Sequence, residues 1–334
     1  MRLAWLGVVA IWSLVPPIAR SSQHTPGSWQ DPSPHRVQFV TVDTDVRLEI
    51  LDWGGAGTPL VLLAGGGNTA HVFDEFAPKL TLDHHVYGIT RRGFGASGFS
   101  GSANLVARLR DDVIAALDAL KLEKPVLVGH SIAGAEMSAV ATSRPGRIAA
   151  LIYLEAGYPY AFANGNGPKM TEFQTSGPRA PSPSAANLAS FASLQNWDAE
   201  VFGFRMPEAE FRQTWDSDAS GRPRRARDAV GSPALQALIT STKTYTDIPV
   251  PALVVFASPH VPERWIDKVT DSRVQESARD YYAAIDVATA KQAAALEAGV
   301  PSARVVRLRG AHYIFLSNEL ETLREMRSFL RGLN

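Results

Sequence analysis

The chain has 334 residues, 45% of them hydrophobic and 20% charged, proportions that suit a soluble globular protein large enough to bury a sizeable core. Its 33 basic residues balance 33 acidic ones, so no excess positive field draws in nucleic acid, which is not an expected partner. It has no cysteine, which excludes disulfides, thiolate nucleophiles and thiolate metal sites.

At the N-terminus Arg2 precedes the nearly continuous apolar run Leu3 to Ile18, and the polar Ser21-Ser22-Gln23-His24 follows. A positive charge, an apolar stretch and a polar exit form the pattern of a secretory signal peptide. The run is short for a membrane span of about 20 residues. We expect a signal segment over 1–20 and a secreted or periplasmic mature protein without stable membrane association. The alternative is an uncleaved N-terminal anchor. Residues 21–36, rich in Ser, Pro and His, read as a flexible lead-in.

The chain then alternates. Val37 to Val42 and Val46 to Leu51 read as strands, and Leu60 to Ala64 is a short apolar run ending in Gly65-Gly66-Gly67. Such a run fits a strand buried on both faces, as in a parallel sheet. A helix is expected over His71 to Leu80, then a strand over Val86 to Ile89. From Asn104 to Leu120, the residues Leu105, Leu109, Val113, Ala116 and Leu120 fall on one helical face. Val126-Leu127-Val128 predicts another strand, Ile132 to Thr142 a helix, and Ala149 to Leu154 a strand. This alternation predicts an α/β fold with a doubly wound, mostly parallel sheet over 37–156 and 246–334. Between them, 157–245 is rich in Gly, Pro, Ser and Ala, with helical pieces near Asn187 to Leu194 and Glu208 to Trp215, and reads as an inserted, mainly helical cap. Beyond it we expect a strand over Ala252 to Phe256, a long helix over Arg273 to Ala298, a strand over Arg304 to Leu308 and a last helix over Glu319 to Leu330.

The strongest chemical signal is Val126-Leu127-Val128-Gly129-His130-Ser131-Ile132-Ala133-Gly134. A strand ends in a sharp turn, a serine sits at its tip, and a helix begins at once. Small flanking residues, here Gly129 and Ala133, let the backbone turn tightly. The helix N-terminus offers unpaired N–H groups to a developing anion. The alternative is a buried serine capping a helix.

This segment resembles the nucleophile elbow of the α/β-hydrolase superfamily, with Ala133 in place of the usual final glycine. Leu62 to Asn68 is similar to that family's oxyanion loop. The resemblance implies that the backbone N–H groups of Gly66 and Ile132 hold an oxyanion. Gly67, Asn68, His71 and His130 are further candidates to line a substrate site, as is His260. Arg92-Gly93-Phe94-Gly95-Ala96-Ser97 looks like the family's architectural turn. His312, after the last strand, stands where the family keeps its general base. The family most often places its acid after the strand that follows the cap, but Ser258 to Pro262 holds no carboxylate. The first acids beyond are Glu263 and Asp267. Some members carry the acid after the strand following the nucleophile helix, where this chain has Glu155. A charged residue ending a buried strand is costly unless paired. We therefore assign Glu155, with Asp267 as the alternative.

The resemblance implies a catalytic set of Ser131, His312 and Glu155 acting through an acyl-enzyme on an ester or lactone of a small organic substrate. No metal or organic cofactor is required. Amidase, peptidase, carbon–carbon hydrolase or cofactor-free haloperoxidase chemistry would use the same serine. A catalytically inactive small-ligand-binding protein would keep the fold. The cap aromatics Phe162, Phe173, Phe191, Trp197, Phe202, Phe204, Phe211 and Trp215 are expected chiefly as the cap's own core, and Arg222, Arg224, Arg225 and Arg227 as a solvated loop. The sequence leaves the oligomeric state open.

Overall fold

A computed structural model describes residues 29–100, 105–173, 177–228, 235–238, 241 and 243–333. The expected signal segment over 1–20, and the lead-in up to residue 28, lie outside them. The contacts divide the chain into a unit ending at Pro32 and one running from Ser33 to Asn334. In the first, residues 29–32 carry neither helix nor strand. The second holds every helix and strand among the described residues.

Eight strands of this second unit form one sheet: β1 Arg36–Asp43, β2 Val46–Gly54, β3 Leu60–Leu63, β4 Val86–Ile89, β5 Val126–His130, β6 Ala150–Leu154, β9 Ala252–His260 and β10 Ala303–Gly310. The intervening β7 Trp215–Ser217 and β8 Pro223–Ala226 form a separate hairpin. The order in the large sheet is β1-β2-β4-β3-β5-β6-β9-β10. Both pairings of β2 are antiparallel and all the others parallel.

β3, β5 and β6 are buried along their whole length, as their unbroken apolar runs require. Successive residues point to opposite faces of a strand. Val61, Leu63, Leu127, Leu151 and Tyr153 therefore pack on one side with Val113, Leu117, Met137 and Val140. Leu60, Leu62, Val126, Val128 and Ile152 pack on the other with Phe73, Phe76, Phe315 and Met326. Each fully buried side chain of this kind contributes about 1.5–3 kcal/mol.

The α-helices whose bounds lie among the described residues are, in chain order, α1 Leu105–Ala119, α2 Ala133–Ser143, α3 Phe191–Phe202, α4 Glu208–Thr214, α5 Ser272–Gly299, the single turn α6 Ile314–Ser317 and α7 Glu319–Arg331, and 235–238 are helical too. None among the described residues is long and apolar enough to cross a membrane. Two expectations change. The helix over 71–80 is instead two 3-10 turns, Ala70–Phe73 and Ala77–Leu80. Pro78 is the second residue of the second turn, and a proline inside an α-helix would remove one hydrogen bond and clash with the preceding turn. Residues 33–36 of the expected flexible lead-in are tied to the core: Trp53 Nε1 donates to Ser33 Oγ, and His35 Nδ1 lies 2.8 Å from Asp74 Oδ1.

Between β6 and β9 lie α3, α4 and the β7–β8 hairpin. Ser190 caps α3 by accepting from the Ser193 N–H, and Gly203 at φ 89° ends it, a left-handed conformation that suits glycine. The cap aromatics divide. Phe191 and Phe211 are buried in a small cap core against Trp197 and Trp215, and Phe162 joins the main core. Phe173, Phe202 and Phe204 instead face a cavity at the end of the sheet. Arg224 and Arg225, expected in a loop, lie in β8, exposed.

Candidate active site

The register of the sheet decides which strand ends meet. His130 pairs with Leu154, so the next residues, Ser131 and Glu155, leave the sheet side by side. Leu63 pairs with Gly129, which sets the glycine loop after β3 over the serine. Gly310 pairs with His260, so the loop carrying His312 arrives beside the end of β9. All these groups sit at the carboxyl ends of parallel strands, where open α/β sheets bind ligands.

Ser131 has φ 53° and Glu155 φ 52°. Both are in the left-handed region, uncommon for residues other than glycine, and such strain collects at functional sites. The Ser131 N–H donates to Leu154 O at 3.2 Å and the Glu155 N–H to Val255 O at 2.8 Å, which anchors both turns. The turn also needs room. A Cβ at Gly129 would meet Met137 at 2.8 Å, and one at Gly134 would meet the Ala156 carbonyl oxygen at 2.0 Å. Gly134, one position after the Ala133 that departs from the elbow pattern, is thus the residue that lets α2 approach the next turn.

Ser131 Oγ lies 3.0 Å from His312 Nε2, and His312 Nδ1 lies 3.1 Å from Glu155 Oε2. Glu155 is fully buried. Its Oε1 accepts the Ala257 N–H at 2.6 Å, and its Oε2 also accepts the Tyr158 hydroxyl at 2.6 Å. Burial raises the carboxyl, but hydrogen bonds and charge from His260 and His312 outweigh it and bring it down to about 2. Asp267, the alternative acid, is exposed in the 3-10 turn Arg264–Lys268.

The glycine loop passes close over the serine: a Cβ at Gly65 would lie 3.2 Å from Ser131 Cβ and 2.6 Å from His130 Nδ1. Arg91 fixes this loop, donating to Ala64 O at 2.8 Å and Gly65 O at 3.0 Å while pairing with buried Glu136 on α2. One guanidinium so ties the loop to the nucleophile helix. Arg91 does not stand out in the sequence, because its role depends on carbonyls far along the chain.

Four residues expected to line the site do not line its cavity. His130 is buried and its Nε2 donates to the His312 carbonyl at 3.0 Å. Burial, and then the charge of His312, push it down to about 3, so it is a neutral prop for the His312 loop. Asn68 is held by Glu210 Oε1 at 3.0 Å and by the Tyr313 hydroxyl at 2.9 Å. His71 is buried with its Nδ1 2.8 Å from Asp74 Oδ2. Gly67 borders a separate small cleft beside Gly93 and Gln213. In each case a polar partner, or the direction of the loop, turns the group away from Ser131.

The cavity itself, about 440 Å³, opens on Ser131, His312 and His260. Its walls are aromatic, with Phe173, Phe202, Phe204, Tyr281, Tyr282 and Tyr313 among them.

The model of the alpha/beta hydrolase family matches residues 60–325. The chain belongs to this family. It is 32% identical over 126 residues to the dihydrolipoyllysine-residue acetyltransferase component of an acetoin cleaving system from Pseudomonas putida, a match that covers 36% of this chain and 32% of that one. It is 29% identical over 111 residues to a pimeloyl-acyl-carrier protein methyl ester esterase of Aliivibrio salmonicida, covering 33% and 41%. The chain thus spans about a third to two fifths of these relatives. Among solved structures, E-2-(acetamidomethylene)succinate hydrolase superposes with a TM-score of 0.61 at 15% identity, over 89% of this chain and 99% of that one. At that identity the likeness speaks for the α/β-hydrolase fold alone.

Proposed function

We propose that the protein is a serine hydrolase that cleaves an ester or lactone of a small organic substrate through an acyl-enzyme. The observation that carries this reading is the unbroken relay from Ser131 Oγ through His312 to buried Glu155.

In this mechanism His312 Nε2 takes the Ser131 proton as Oγ attacks the substrate carbonyl carbon. The carbonyl electron pair moves onto oxygen, which the Gly66 and Ile132 N–H groups receive. Neither N–H has a backbone acceptor among the described residues; Ile132 follows Ser131 directly, and Gly66 follows Gly65, whose Cβ position would lie 3.2 Å from Ser131 Cβ, which supports this role. The intermediate collapses, the bond to the alcohol oxygen breaks, and His312 returns its proton to that oxygen. Water then repeats the sequence on the acyl-enzyme and frees Ser131. Glu155 holds the His312 tautomer with Nε2 unprotonated and stabilises the imidazolium.

The cavity supports a substrate with an apolar or aromatic acyl or alcohol group and no negative charge. No Arg or Lys lines it among the described residues, whereas Glu263 does. We place the choice of substrate in the 157–245 segment, which supplies Phe173, Phe202 and Phe204. We propose also that residues 1–20 direct export and are removed, which mass spectrometry of the mature N-terminus tests.

The deciding experiment compares wild type with Ser131→Ala on p-nitrophenyl esters, together with labelling by a fluorophosphonate. Turnover and labelling by wild type, both lost in Ser131→Ala, are expected. A wild type that neither turns over any ester nor takes the label sinks the reading and favours a ligand-binding role.

A further inference from the structure

The acid position of this site holds more than one carboxylate needs. His260 ends β9, where the family usually keeps its Asp, and it approaches the same Glu155 oxygen as His312. Its Nε2 lies 3.5 Å from Glu155 Oε2. Its Nδ1 lies 2.7 Å from Asp286 Oδ1 on α5, and the same oxygen accepts the His260 backbone N–H at 3.0 Å. The groups therefore run Asp286, His260, Glu155, His312, Ser131, with carboxylate and imidazole alternating up to the nucleophile.

A fully buried carboxylate stays ionised only with a positive partner or several hydrogen bonds, and a charge close by adds most. His312 cannot be that partner in a resting serine hydrolase, because a general base must be neutral before it takes the serine proton. Among the described residues no Arg or Lys pairs with Glu155: its contacts are the Ala257 N–H, the Tyr158 hydroxyl and the two histidines. We infer that His260, held by Asp286, is the resting counter-ion of Glu155 and a positioning residue of the site. It keeps Glu155 ionised while leaving His312 free as a base.

The surroundings agree. Burial lowers the His260 titration, but bonds and charge from Glu155 and then Asp286 raise it above the usual histidine value. Only the protonated ring carries a proton on both nitrogens, so that it bonds Asp286 through Nδ1 and turns a charge toward Glu155 at 3.5 Å. The other titratable groups around it are Glu263 in the chain just beyond, Tyr158 after β6, Tyr281 and Tyr282 on α5, and His312 after β10, all lining the same cavity.

The consequence is a pH effect. With His260 charged, the pull of Glu155 on a proton at His312 is partly cancelled. Without that charge, bare Glu155 favours protonated His312, and the base is lost at a higher pH. The test is the rate of Ser131 labelling by a fluorophosphonate against pH, in wild type, His260→Gln and Asp286→Asn. This readout reports the base directly and needs no known substrate. His260→Gln keeps a neutral donor toward Glu155, and Asp286→Asn leaves both site residues in place. In both variants the acidic limb is expected to move up, by about one pH unit in His260→Gln and by less in Asp286→Asn. Slower labelling with the limb unmoved in both variants would reduce His260 to a packing residue and overturn the inference. The inference rests on the serine-hydrolase reading, and the two fail differently: a wild type that never labels removes that reading first, whereas a labelled wild type with unmoved variants removes only this one.

Discussion

Two glutamates, one in the sheet core and one in the cap, are equally hidden from water and end in opposite states. Glu155 and Glu210 are both fully buried. Glu155 faces two imidazoles and is brought down to about 2 despite its burial. Glu210, on α4, is raised to about 7 by burial, which the bonds from Thr69 and Asn68 only partly oppose. At Glu210 the neutral donors offset burial only in part, whereas at Glu155 the two imidazoles more than offset it. The core glutamate is thus held ionised beside His312. The cap glutamate is built as a clip: it binds the Thr69 hydroxyl at 2.5 Å and the Asn68 amide at 3.0 Å, just past the glycine loop.

The sharpest break in this comparison is to neutralise each glutamate in turn. Glu155→Gln should lower kcat/KM for a good aryl ester by about 10³–10⁴-fold, because the imidazolium formed in the transition state loses its partner. An activity within tenfold of wild type would deny Glu155 its role. Phe204→Ala, which opens the cavity wall beside Tyr313 (ring centroids 5.2 Å apart), should raise KM for aryl esters about five- to twentyfold with little change in kcat. That split would place binding in the cap and chemistry in the sheet, and an equal loss in kcat would blur it.

Glu210→Gln should leave turnover nearly unchanged and act on stability. Between about pH 4.5 and 7 folded Glu210 holds a proton that the unfolded chain has released, so its contribution falls as pH rises through that window. The substitution should remove this slope, with a gain of a few degrees in Tm at pH 8 that is absent at pH 4.5. For Glu155 the sign reverses: its contribution is present above about pH 4.5 and is lost as pH falls toward 2. Smallest of all, Arg225→Ala, on the exposed hairpin paired with Asp216 and Asp228, should change stability by less than about 0.5 kcal/mol. A larger loss would show that the hairpin holds the cap in a way its exposed ion pairs do not suggest.

Much of this molecule is legible without coordinates, and unevenly so. The buried strands stand out because a strand covered on both faces needs an unbroken apolar run. Ser131 stands out because strand, turn and helix within nine consecutive residues are a local matter. The helix expected over 71–80 fails because a proline, Pro78, stands inside it. Asn68, His71 and His130 are misjudged because a polar side chain near a motif is drawn to whichever partner is closest in space. Those partners, Glu210, Asp74 and the His312 carbonyl, are set by packing.

The sequence by itself determined the alternation of the sheet, because a buried strand or an amphipathic helix is written in a few consecutive residues, and its resemblance to the α/β-hydrolase family marked Ser131 and His312 as candidates. Only the tertiary structure decided which carboxylate meets His312, which cap aromatics face the cavity and that a second histidine stands behind the first. Those choices follow from sheet register: His130 opposite Leu154 and His260 opposite Gly310 bring together residues whose separation in sequence carries no trace of their nearness. The charge of a buried group depends on such neighbours, so two glutamates with the same chemistry, Glu155 and Glu210, differ in the fold.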